Sequence, residues 1–100
     1  MVKHIILWQL KDGLSDEEKA TVKAEMKTAL EALVGQVPGL AELQVQTAGL
    51  PTSNADVMLD STFTDEAALK AYAVHPAHVA VVDTLVRPFT AARSCLDFVL

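Results

Sequence analysis

Residues Tyr72 to Ala80 read Tyr-Ala-Val-His-Pro-Ala-His-Val-Ala and place a phenol and two imidazoles within seven positions. Histidine is the side chain whose ordinary pKa lets it take or give a proton near neutral pH. A tyrosine three to six residues away supplies a hydrogen bond or a second proton. His78 is therefore the candidate general base and Tyr72 its acidic partner, a pairing suited to drawing a proton from a carbon beside a carbonyl and holding the oxyanion that results. His75 stands before Pro76, where an imidazole accepts from helix N–H groups, and reads as a cap. A third histidine, His4, shares an alternating face with Ile6 and Trp8, so His4 and Trp8 are the candidate ligand-contacting residues. Each of these also suits a plain core role. A histidine satisfied by one hydrogen bond or a tyrosine with a wet hydroxyl is common in interiors.

The elements that must position these groups follow from periodicity. Val2 to Leu10 alternates with large apolar residues on both faces, so it reads as a strand covered on both sides. Ser15 to about Val34 is a helix opened by the capping box Ser15/Glu18, with Val22, Met26, Leu30, Leu33 and Val37 on its apolar stripe. Gly35, Pro38 and Gly39 end it. Leu40 to Ala48 and Asp56 to Phe63 are strands around the turn-rich Gly49 to Asn54. A second helix, capped by Thr64 or Asp65, runs to about Val74. His75-Pro76 interrupts it, and a third helix runs to about Val86, with His78, Val82 and Leu85 in line and pointing inward. Arg87-Pro88 breaks that helix. Ala92 to Leu100 is the last strand, where Cys95 reads as a small buried hydrophobe.

The order β-α-β-β-α-α-β predicts an α+β, ferredoxin-like chain with one four-stranded antiparallel sheet and helices on one face. The bare face would show Ile5, Leu7, Met58 and part of the last strand, mixed with Gln44, Gln46, Asp60 and Thr62. An apolar patch of that kind seldom stays wet, so two sheets are expected to pack face to face in a homodimer.

Composition bounds the rest. The 100 residues suit one domain, 1–100, and 51% are hydrophobic. The net charge of −5, without a basic run, argues against nucleic acid. No stretch suits a membrane span and Ile5 to Trp8 is too short for a signal peptide. A single cysteine fits a reducing, cytoplasmic setting and excludes Cys-based zinc sites. His75 and His78 lack a third metal ligand at suitable spacing. No nucleophile motif surrounds Ser15, Ser53 or Ser94, and no phosphate loop exists. Neither metal nor cofactor is expected.

Three stretches now carry a resemblance: Val2-Lys3-His4-Ile5 followed by Lys11-Asp12-Gly13-Leu14; Ser61-Thr62-Phe63; and Tyr72 to Ala80 with its His-Pro-x-His. Arg93-Ser-Cys-Leu-Asp-Phe98 fits as well. In this order, over essentially the whole chain, they resemble the stress-responsive α/β-barrel (Dabb) family. The resemblance implies a dimeric α+β barrel. One plant branch of the family resembles polyketide cyclases, which close a poly-β-ketone by aldol condensation without a cofactor. By position, its acid/base pair would be Tyr72 and His78, and its pocket histidine His4. Some members hold magnesium through main-chain carbonyls, here those of Val34, Val37 and Leu40, although Gly35 and Gln36 change that segment. The expectation is a cofactor-free enzyme acting on a small apolar or polyketide-like ligand. A non-catalytic stress-linked oligomer and a cofactor-free monooxygenase stand as alternatives. An open pocket ending at His78 favours the enzyme; one filled by Trp8 favours the structural role.

Overall fold

The computed structural model describes all residues 1–100. Strand β1 (Val2–Leu10) is followed by helix α1 (Asp16–Glu31), strands β2 (Leu40–Gln46) and β3 (Val57–Phe63), helices α2 (Glu66–Val74) and α3 (Pro76–Val81), and strand β4 (Thr90–Val99). The strands form one antiparallel sheet in the order β2-β3-β1-β4, so β1 is central and β4 lies at an edge. This is the expected ferredoxin-like arrangement.

Helix α1 begins where the capping box predicts. The Ser15 hydroxyl accepts the Glu18 N–H at 3.1 Å, and the Glu18 carboxylate accepts the Ser15 N–H at 3.2 Å. Its stripe buries Val22, Met26 and Leu30 against the sheet. The helix stops at Glu31, short of Val34, and gives way to turns that reach Gly35 at φ 90°. Leu33 and Val37 remain buried beyond that stop, so the core stripe outlasts the helix. Gly39, at φ 82°, lies where a Cβ would come within 2.5 Å of the Ala68 Cβ, which lets the start of β2 press against α2.

The alternation of β1 is realised as predicted on its helix-facing side. Val2, His4, Ile6, Trp8 and Leu10 are buried, while Leu7 is 41% exposed on the bare face. On that same bare face the Lys3 ammonium meets Asp60 at 2.7 Å. Thr62, expected on the open face, is buried.

Two expectations about the last third of the chain need correction. Helix α3 ends at Val81, and the chain continues through a wider π turn, Val82–Val86, before a short 3₁₀ turn, Arg87–Phe89. The wider turn shifts the inward direction by one residue, so Val86 is buried where Leu85 was expected to be. Cys95 is exposed, not a buried hydrophobe. The helices leave the edge strand uncovered, and every residue of β4 after Thr90 is exposed.

Candidate functional site

Between the helix-facing side of the sheet and the α2–α3 corner lies a cavity of about 440 Å³. Ile6 and Trp8 of β1 and Val82 and Val86 of the π turn give it apolar walls. His4, Tyr72 and His78 supply polar groups. All four residues assigned to the site from sequence, His78, Tyr72, His4 and Trp8, thus line one space. His75 does not.

Backbone logic explains the separation of the two helical histidines. Pro76 forbids α2 from continuing. His75 takes extended angles, φ −67° and ψ 131°, and its Nδ1 accepts the Ala77 N–H at 3.1 Å. That cap fixes the start of α3 and turns His78 back onto Tyr72. The two rings lie 4.0 Å apart between centroids, tilted by 35°. His4 stands 6.1 Å from Tyr72, edge to face.

Tyr72 Oη and His78 Nδ1 are both fully buried and neither has a hydrogen-bond partner. Burial raises the Tyr72 pKa, against the pull of the nearby Arg93 charge, so the phenol keeps its proton and serves as a donor. Burial lowers the His78 pKa from its ordinary 6.5, with the charges of His4, Arg93 and His75 acting in the same sense and the Ala73 carbonyl opposing. A neutral imidazole with a free nitrogen beside a protonated phenol is a base next to an acid.

Asp97 joins the site through strand register. Residue pairing places it opposite His4 across β1 and β4, and its Oδ1 lies 2.5 Å from His4 Nδ1. A carboxylate oxygen accepts, so the His4 Nδ1–H donates to Asp97 and the contact orients the ring. Cys95 Sγ donates to the same carboxylate at 3.4 Å. Partial desolvation of the sulfur, then the hydrogen bond to Asp97, raises the Cys95 thiol pKa. The ligand atoms of His4, Cys95 and Asp97 all lie within 4.8 Å of one another, a three-residue group where the sequence suggested none. The His4–Asp97 separation is that of a hydrogen bond; two donors on one tetrahedral ion with bonds of about 2.0–2.1 Å would stand farther apart.

Asp97, Arg87 and Arg93 also border the region, and sequence reading assigned none of them a role. Alternation along β4 puts Arg93, Cys95 and Asp97 on one face, and this was the available signal. Their meeting with His4 and Trp8 depends on register across more than eighty residues.

At the turn after α1, the Val37 carbonyl already accepts the Leu40 N–H at 3.3 Å. Residues 32–40 carry no carboxylate, and Glu31 is spent on Lys27 and the Val45 N–H. The turn does not offer the donor set that magnesium favours.

The family model for the stress responsive A/B barrel domain, Dabb, matches residues 2–100. The chain belongs to the Dabb family. A dimeric protein of unknown function and ferredoxin-like fold from Bacteroides fragilis is 32% identical to this Dabb chain, with a TM-score of 0.91 over 99% of this chain and 95% of that one. A dimeric ferredoxin-like protein of unknown function from Thermobifida fusca is 26% identical, with a TM-score of 0.82 over 99% and 90%. A hydroxynitrile lyase from Passiflora edulis shares the fold, at 18% identity and a TM-score of 0.73 over 99% and 92%. No curated protein matches the Dabb chain in sequence. No helix is long and apolar enough to cross a membrane.

Proposed function

We propose that this Dabb domain is a homodimeric enzyme of polyketide-cyclase type, moving a proton at the carbon beside a keto group. The observation that carries the reading is the pair of buried, unpartnered atoms, Tyr72 Oη and His78 Nδ1, on adjoining rings in one open cavity. Buried polar groups are normally satisfied, and each orphan costs about 1–3 kcal/mol. A ketone bound in the cavity would remove that cost.

In the proposed step the keto oxygen accepts the Tyr72 O–H. His78 Nδ1 takes a proton from the adjacent carbon, and the C–H electron pair moves into the C–C–O unit as an enolate. Tyr72 holds the developing oxyanion. The enolate carbon then attacks a second carbonyl of the same ligand, and the imidazolium returns its proton to the new alkoxide. His4, oriented by Asp97, faces the same space. Trp8 forms a wall and leaves the cavity open, which supports an enzyme over a purely structural oligomer. That a hydroxynitrile lyase uses this scaffold supports its capacity for catalysis.

The neutral ketone methyl 5-oxodecanoate in deuterium oxide tests the reading by NMR. Deuterium should enter beside the keto group faster than with buffer alone. His78→Ala should lower that rate by about 10²–10⁴-fold, the usual contribution of a general base. Exchange at the buffer rate with the intact protein overturns the proposal.

A further inference from the structure

The chain has eight cationic side chains but only two arginines, Arg87 and Arg93, and both line the cavity that holds Tyr72 and His78. No aspartate or glutamate lines that cavity, although acidic residues outnumber basic ones by 13 to 8 over the chain. Positive side chains therefore line a cavity of a protein that is negative as a whole, and Asp97 meets its wall only through His4. Arg87 is drawn toward Asp83 at 3.4 Å, one turn away. Arg93 has no ion pair with any carboxylate. It stands opposite Trp8 in the β1–β4 register, so its guanidinium belongs to the β4 side of the cavity, across from the α3 wall. Its charge is felt at both Tyr72 and His78.

A guanidinium without a carboxylate partner beside a cavity presents a planar fork of N–H donors that matches a carboxylate. We infer that the site takes a keto acid, with the ketone between Tyr72 and His78 and the carboxylate on Arg93. This rests on the acid/base reading for the ketone end and adds the anionic end. The apolar walls from Ile6, Trp8 and Val82 then hold the carbon chain between the two polar ends.

Trp8 is the chain's one tryptophan and lines the cavity, so its fluorescence reports binding directly. The probes are 5-oxodecanoate and its neutral methyl ester, titrated into the intact protein, Arg93→Gln and Arg93→Lys. The intact protein should bind the acid more tightly than the ester by at least about tenfold, the lower range for a hydrogen bond to a charged group. Arg93→Gln should bring the acid down to the level of the ester. Arg93→Lys should restore part of the preference. Added salt should weaken the acid alone.

Equal affinity for acid and ester in the intact protein overturns the carboxylate assignment and leaves the proton-transfer reading intact, because that reading is tested on the ester by deuterium exchange. A preference for the acid that survives Arg93→Gln overturns the assignment to Arg93. No fluorescence change with either probe also overturns it, whatever the exchange experiment gives.

Discussion

Tyr72 Oη and His78 Nδ1 are buried side-chain atoms left without a hydrogen-bond partner, and this separates their stability effects from their chemical ones. Tyr72→Phe removes an orphaned hydroxyl and keeps the ring that packs on Phe63 at 4.9 Å. Its thermal midpoint should hold or rise, reflecting the relief of about 1–3 kcal/mol of unpaired polar burial. Its deuterium-exchange rate should nonetheless fall by about 10²–10³-fold, as for the loss of one oxyanion donor. A Tyr72→Phe protein with lowered stability would mean that the hydroxyl has a structural partner. The pH response at His78 has a definite sign. The folded pKa lies below the unfolded value of 6.5, so the unfolded chain binds the extra proton between the two. The stability contributed by neutral His78 is present above 6.5 and is lost as pH falls through that window. Urea unfolding of the parent and His78→Gln across this range should show a steeper acid loss for the parent. Parallel curves would count against a neutral, buried imidazole.

The break between α2 and α3 sets which histidine faces the cavity. His75 caps α3 through its own Nδ1 and stays out of the cavity wall, while His78 turns in. His75→Ala should therefore cost about 0.5–2 kcal/mol of stability, the range for a lost cap. Chemical denaturation reads that loss, and exchange per folded molecule should change far less than in His78→Ala. A His75→Ala protein of full stability but no exchange would reverse the roles. The π turn after α3 acts at the same level: by widening the helix, it brings Val86 under the cavity and carries Arg87 to its rim.

At the scale of the molecule the unresolved demand is the uncovered side of the sheet. Leu7, Leu96 and Phe98 are 41%, 65% and 43% exposed, and β4 has no partner on its outer edge. Burying each of these side chains would be worth up to roughly 1.5–3 kcal/mol. The related proteins from Bacteroides fragilis and Thermobifida fusca are dimeric. Sedimentation equilibrium at micromolar concentration should give twice the 10.7 kDa chain mass, and Leu96→Asp with Phe98→Asp should shift it toward the monomer. A parent that sediments as a stable monomer would remove the dimer from the proposal.

Period and punctuation were enough to place the elements in order, though not to find where α1 and α3 end. Two-residue alternation marked β1, the Ser15/Glu18 box marked the start of α1, and Pro76 marked the break that divides the two histidines. These are local preferences, and a few neighbouring residues express them in full. The same local signals brought His78 and Tyr72 to one corner, since they lie only six positions apart. Asp97 and Arg93 were out of reach of such reasoning. Their contact with His4 and Trp8 depends on the pairing of the first strand with the last, which forms only once the whole sheet has closed. Cys95 was misplaced for a related reason: an apolar residue on a strand is buried only if something covers it, and β4 ends up at the sheet's edge, beyond the reach of the helices. Local sequence thus determined the order of strands and helices, while the pairing of distant strands brought Arg93 to the cavity and Asp97 to His4.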